Sequence, residues 1–196
     1  MRLVIIDSGG ANIASVRFAI ERLGVESELT TDPQRVRDAT HVLLPGVGAA
    51  RDCMGRLQKA RLVDTLRTLK QPVLGICVGM QLLFESSEED NVECLGLVPG
   101  RVRRFPEREG LPVPHMGWNQ LNLLRSSPLL QGIHENDHVY FVHSYRAPLG
   151  DMTLVSSDYG DSFSAIVQRD NIFGAQFHPE RSARVGSLLL RNVLRL

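Results

Sequence analysis

The sequence predicts a single α/β domain spanning residues 1–196: a central, mostly parallel sheet flanked by helices, with an antiparallel extension. Three observations carry this reading. The first half alternates short apolar runs with amphipathic stretches of helical length, which is the signature of parallel strands joined by helices. The second half changes character, with proline and glycine recurring between Leu97 and Gly117 and short strand patterns after them. The chain has 196 residues, 43% of them hydrophobic, which fits one domain with a substantial core.

In chain order, Leu3–Ile6 reads as the first strand and Ala14–Leu23 as a helix closed by Gly24. Glu26–Leu29 is a second strand. Pro33–Asp38 is a short helix, with Asp32 as its cap and proline in its first turn. His41–Leu44 is a third strand, followed by helices at Ala50–Leu57 and Leu62–Leu69. Val73–Ile76 is a fourth strand, and Val78–Phe84 starts a helix directly after it. In the second half, Val139–Val142, Leu154–Ser156, Ala165–Gln168 and Ile172–Phe177 read as strands, the last two joined by a hairpin turn at Asp170–Asn171. Arg184–Leu194 closes as an amphipathic helix. In such sheets the loops at the carboxyl ends of the parallel strands build the site. Those loops here are 7–12, 45–48 and the turn at Cys77.

Composition excludes several classes. Twenty-two basic residues balance 22 acidic ones, so no overall field favours nucleic acid or an anionic membrane. The three cysteines, Cys53, Cys77 and Cys94, match no zinc spacing, and their odd number argues against a disulfide framework. A reducing cytoplasm is the expected compartment. The first residues turn polar too soon for a signal peptide, and no apolar stretch approaches the ~20 residues that span a bilayer. Neither a metal nor a cofactor is expected.

Chemistry concentrates at Gly75-Ile76-Cys77-Val78-Gly79-Met80-Gln81. A cysteine between two glycines, at the junction of a strand and a helix, is the thiol form of a nucleophile elbow. The helix N-terminus behind it favours thiolate. An isolated cysteine in apolar sequence is also commonly a small buried hydrophobe, so the elbow needs a base. Gln176-Phe177-His178-Pro179-Glu180 offers one. Proline holds His178 extended, and in extended chain His178 and Glu180 face the same side. Glu180 can then orient the imidazole while its other nitrogen takes the Cys77 proton, which completes a triad of nucleophile, base and orienter.

These two segments together resemble the class I glutamine amidotransferases. Four more, Asp7–Asn12, Leu44–Gly48, Pro114–Asn119 and Tyr140–Tyr145, are similar to the glutaminase subunits of imidazole glycerol phosphate synthase, and this resemblance runs nearly end to end. It implies hydrolysis of L-glutamine to glutamate and ammonia through a Cys77 thioester. It also implies a heterodimer, in which the partner is a (β/α)8-barrel cyclase subunit. The cyclase takes the ammonia through a channel and makes imidazole glycerol phosphate and an aminoimidazole carboxamide ribotide in histidine biosynthesis. Val78 stands where a leucine is common in the family, and Arg181 where a lysine also occurs.

The residue roles follow from the same resemblance. The amides of Val47 and Val78 form the oxyanion hole, with Val47 in a Pro45–Gly48 loop whose peptide flips under control of the partner. Gly48, Gln81, His143, Ser144 and Tyr145 bind glutamine. Read without the resemblance, Tyr145 is also consistent with core and Ser144 with a turn. His143 is a rival for the base role, though it lacks a close carboxylate. Asn12, Trp118, Asn119 and Arg181 form the docking face, with burial in the core as the alternative for Trp118. Other acceptors remain open to the same chemistry, as in the glutaminase subunits of the anthranilate or pyridoxal phosphate pathways. The remaining rivals are a hydrolase that does not use glutamine, a redox sensor and a degenerate binding subunit.

Overall fold

Short apolar runs bounded by turn residues bury both faces as strands, while the amphipathic stretches between them cover those faces. The computed structural model describes residues 1–9 and 13–196. Its alternating half contains β1 (Leu3–Ile6), α1 (Ile13–Glu21), β2 (Ser27–Thr30), α2 (Pro33–Asp38), β3 (His41–Gly46), α3 (Ala50–Lys59), α4 (Leu62–Thr68), β4 (Val73–Cys77) and the one-turn α5 (Val78–Gln81). Every residue of β1, β3 and β4 is buried. Asp32 caps α2 by accepting from the Gln34 amide at 2.8 Å.

The second half adds β5 (Ser86–Ser87), β6 (Val92–Glu93), β7 (Arg101–Arg104), β8 (His115–Gln120), β9 (Asn122–Leu123), β10 (His138–His143), β11 (Tyr145–Arg146), β12 (Thr153–Tyr159), β13 (Asp161–Arg169), β14 (Ile172–Ala175) and α6 (Ala183–Val193). The main sheet has the order β2-β1-β3-β4-β14-β13-β12-β9. It is parallel from β2 to β14 and antiparallel beyond. The last strand of the chain therefore lies in the middle of the sheet, directly beside β4. There are also a two-stranded ribbon, β10-β8, and a small sheet, β11-β7-β5-β6; the Val142 carbonyl of β10 meets the Cys77 thiol and the Tyr145 carbonyl of β11 accepts from Gln81.

Two differences from the sequence reading have physical causes. The helix expected over 78–84 ends at Gln81. Leu82, Leu83 and Phe84 are fully buried, and their carbonyls accept from the backbone amides of Leu95, Gly96, Leu97 and Val98 instead of continuing a helical ladder. Strands β5 to β9 and β11 have no clear apolar alternation. In β7, for example, only Val102 is buried, between exposed arginines.

The elbow depends on backbone contact. A Cβ on Gly79 would lie 1.8 Å from the Leu44 carbonyl oxygen, one on Gly75 2.6 Å from the Gly79 oxygen, and one on Gly46 2.5 Å from the Gly79 nitrogen. These glycines let α5 seat directly on β3 and β4. Gly79→Ala should destabilise the fold by about 3 kcal/mol or abolish it, because backbone cannot move aside. Gly55→Ala, inside α3 with open space around it, should stabilise by about 0.5–1 kcal/mol. Urea unfolding of the two variants measures both.

Candidate active site

Cys77 ends β4 with φ 55° and ψ −113°, a conformation that a residue with a Cβ holds only when its surroundings impose it. Its side chain stands at the carboxyl edge of the sheet, 4% exposed. Because β14 runs parallel to β4 with Ala175 opposite Ile76, the residues after β14 arrive beside the elbow. Gln176 Nε2 lies 3.9 Å from Cys77 Sγ, and the His178 side chain hydrogen-bonds to Cys77.

His178 Nδ1 is 2.8 Å from Glu180 Oε1, and both side chains are buried. His178 is extended as expected, but Glu180 reaches it through a tight 3-10 turn, Pro179–Arg181, rather than along a continuing strand. The turn is tied to β10. The His178 amide donates to the Tyr140 carbonyl at 3.0 Å, and Ser182 Oγ joins the His178 carbonyl at 2.7 Å to the Tyr140 amide at 3.0 Å. Burial alone would lower the His178 pKa. Its hydrogen bonds to Cys77 and Glu180, with the negative charge on both, outweigh that and raise it to about 10.

A cavity of about 510 Å³ opens over Cys77, a size that accommodates a free amino acid. Of the residues singled out in the sequence, Val47, Gly48, Cys77, Val78, Gln81, His143, Ser144, Tyr145, His178 and Arg181 line it. Glu180 stands behind His178. The Pro45–Gly48 loop is braced from both sides. Ser8 Oγ donates to the Pro45 carbonyl, and the Cys53 thiol donates to the Val47 carbonyl at 3.5 Å.

Gln81 is 2% exposed, and its Nε2 donates to the Tyr145 carbonyl at 2.9 Å and to Gln176 Oε1 at 3.0 Å. Both amide protons are committed, so Gln81 offers a ligand its Oε1. His143 is equally committed: Nδ1 to the Tyr145 carbonyl at 2.7 Å and Nε2 to His115 Nδ1 at 3.0 Å. Burial, with the nearby charges of His115 and His178, pushes its pKa down to about 3 despite the Tyr145 bond. A ring so placed cannot serve as base at neutral pH. Among the described residues that line the cavity, the other histidine is His178.

The sequence reading missed Glu89. It lines the cavity, and its Oε2 accepts from the Ala50 amide at 2.7 Å. Burial, reinforced by Asp90 and Asp52, raises its pKa although the Ala50 bond opposes this. The acidic run in which it sits, Glu88-Glu89-Asp90, reads as a solvated face, and nothing local distinguishes one carboxylate from the next. Cys53 and Cys94 are buried, and burial raises both thiols, Cys94 to about 11.

The expected docking residues divide. Trp118 is 54% exposed and Met116 62%, on the outer side of β8, which excludes the core alternative for Trp118. Trp118 meets Tyr140 edge to face, and the Arg181 guanidinium lies 4.5 Å from the centre of the Tyr140 ring. Asn119 instead turns inward, its Nδ2 bonding His115 Nε2 at 3.3 Å and the Asp158 carbonyl at 2.8 Å. Asn12 lies outside the described residues.

Comparison with known proteins places the chain in a family. Residues 4–195 match the family glutamine amidotransferase class-I. Imidazole glycerol phosphate synthase subunit HisH of Xanthomonas axonopodis pv. citri is 53% identical over 194 residues, covering 99% of this chain and 97% of the relative. The HisH subunit of Shewanella loihica is 47% identical, with 98% and 90% covered. Among solved structures, a putative GMP synthase subunit from Thermoplasma acidophilum superposes with a TM-score of 0.77 at 19% identity, over 100% of this chain and 92% of that one. The glutaminase domain of Trypanosoma brucei CTPS with bound acivicin superposes with a TM-score of 0.68 at 15% identity, over 100% and 94%. At these identities the solved structures establish the fold alone.

The two buried neutral histidines give the site a pH signature. Burial lowers His115 to about 4 and His143 to about 3, from an ordinary 6.5. The unfolded chain therefore binds more protons than the folded one below pH 6.5. The stability contributed by the neutral pair is complete above that pH and is lost as pH falls through 4. In unfolding titrations between pH 6.5 and 4, His143→Gln should show a slope shallower by about one proton than the wild type.

Proposed function

The chain belongs to the class I glutamine amidotransferases, in the family of imidazole glycerol phosphate synthase HisH subunits, and we propose that it hydrolyses L-glutamine with Cys77, His178 and Glu180 and passes the ammonia to a barrel cyclase subunit. It is the glutaminase subunit of that synthase, in histidine biosynthesis. The observation that carries the triad is the strained elbow of Cys77 facing a buried His178–Glu180 pair. No helix among the described residues is long and apolar enough to cross a membrane; a cytoplasmic location is part of the proposal.

The Cys77 sulfur attacks the side-chain amide carbon of glutamine. The amides of Val78 and Val47 receive the developing oxyanion. His178, holding its proton tightly through Cys77 and Glu180, delivers it to the departing nitrogen, so that ammonia leaves and a glutamyl thioester remains. Water, deprotonated by His178, then releases glutamate and restores the thiol. From the cavity lining, the Glu89 carboxylate and Gln81 Oε1 attract the substrate ammonium. Gly48, Ser144 and Tyr145 enclose the rest.

Free ammonia is protonated in neutral water and ceases to be a nucleophile, so its product value depends on a partner covering the cavity mouth. The exposed Met116 and Trp118, with Arg181 shared between this patch and the cavity lining, support docking there. Tryptophan and arginine are frequent anchors of such faces.

Cys77→Ala and His178→Asn should each lower glutamate release by at least about a thousandfold while leaving the folded chain intact. Retained turnover in either variant overturns the triad. Trp118→Ala should weaken binding of the barrel cyclase by at least about tenfold, measured by titration calorimetry, without lowering the melting temperature of the isolated chain.

A further inference from the structure

Gln81 is joined to strand β8 by a chain of hydrogen bonds, buried at its His115–His143 centre, whose direction follows from donor and acceptor chemistry. The Tyr145 carbonyl can only accept, and it takes bonds from both His143 Nδ1 and Gln81 Nε2. With its proton on Nδ1, neutral His143 accepts at Nε2, so His115 Nδ1 must donate across the 3.0 Å gap. That leaves His115 Nε2 as acceptor for Asn119 Nδ2, at 3.3 Å. Asn119 is itself fixed: Nδ2 also donates to the Asp158 carbonyl, and Oδ1 accepts from the Gln120 amide at 2.8 Å. Both histidines are therefore Nδ1–H tautomers.

Reversing the chain is penalised at its far end. If His115 and His143 both carried their protons on Nε2, the Nδ1 lone pair of His143 would face the Tyr145 carbonyl oxygen at contact distance. The carbonyl would have to withdraw, and Gln81, which shares it, would shift with it. We propose that Asn119, His115 and His143 are positioning residues that set how Gln81 presents its amide to bound glutamine. The proposal rests on the glutaminase reading above. Asn119 is the control point, because it sets the direction from a strand whose other face carries Met116 and Trp118. The chain touches the triad only at its end, through Gln176, whose Nε2 lies a long 3.9 Å from Cys77 Sγ, so the relay acts on substrate affinity more than on turnover.

The test combines side-chain 15N NMR of the histidines with glutamate-release kinetics on the full chain. The wild type should show both His115 and His143 as Nδ1–H tautomers at neutral pH. Asn119→Asp, whose carboxylate can only accept, should convert both to Nε2–H. It should also raise KM for glutamine about tenfold, the scale of one misplaced hydrogen bond, with kcat changed less than about twofold. Gln120→Ala, an exposed neighbour on β8, should leave tautomers and KM as they are. An Nε2–H tautomer at either wild-type histidine overturns the proposal, whatever the variants do. So does a tautomer reversal with KM unchanged, or a loss that falls equally on kcat. Failure of the glutaminase reading looks different: the wild type, alone and with cyclase, releases no glutamate although its tautomers are as drawn, which overturns both.

Discussion

The seating of one helical turn on two strands, backbone against backbone, is the contact on which the rest of the site depends. With no Cβ on Gly46, Gly75 or Gly79, α5 closes on β3 and β4 to within reach of their main-chain atoms. That closeness leaves Cys77 no room for an ordinary strand-to-helix bend and holds it at positive φ. The sulfur is thereby lifted off the sheet edge into the cavity, and the Val78 amide is placed beside it. Strain at Cys77 is maintained by packing on both sides, as is usual where a site needs a geometry the backbone would not choose.

A second level of order surrounds this elbow. The Tyr145 carbonyl gathers donors from His143 and Gln81, and Gln81 in turn orients Gln176 against Cys77. The Gln81 amide protons and both His143 ring nitrogens thus have partners whose own orientation is fixed. In a low-dielectric setting, satisfied networks of this kind specify one arrangement, because each alternative leaves a buried donor or acceptor unmatched. The same reasoning removes His143 from the base role. It is held by acceptors and donors on both nitrogens, whereas His178 is held by a carboxylate.

Legibility in the sequence followed the physics of each element. The parallel half was readable because strands buried on both faces are continuous apolar runs, and the elbow because its glycines have a steric reason that survives without coordinates. His178 and Glu180 were paired for a partly mistaken reason, since a 3-10 turn brings them together rather than an extended segment. The strands over the site were hidden, because β7 and β8 bury one side or less and carry arginine, glycine and histidine where β-formers were sought. Glu89 was invisible because its role comes from a long-range approach to the Ala50 amide. Asn119 was expected on a docking face from the family resemblance, while its amide bonds His115 and the Asp158 carbonyl.

The position of β14 has a consequence for how the chain is made. The strand that completes the middle of the sheet is synthesised about a hundred residues after its neighbour β4 and joins it in parallel, a pairing of high contact order. Until residues 172–175 emerge, β4 presents an unpaired, apolar edge, which is an aggregation hazard that a translating ribosome or a holding chaperone would have to shelter. The same delay orders the cavity. Cys77 is laid down early and the His178–Glu180 pair late, so a nascent or truncated chain carries the thiol without the imidazole that hydrogen-bonds to it in the finished fold.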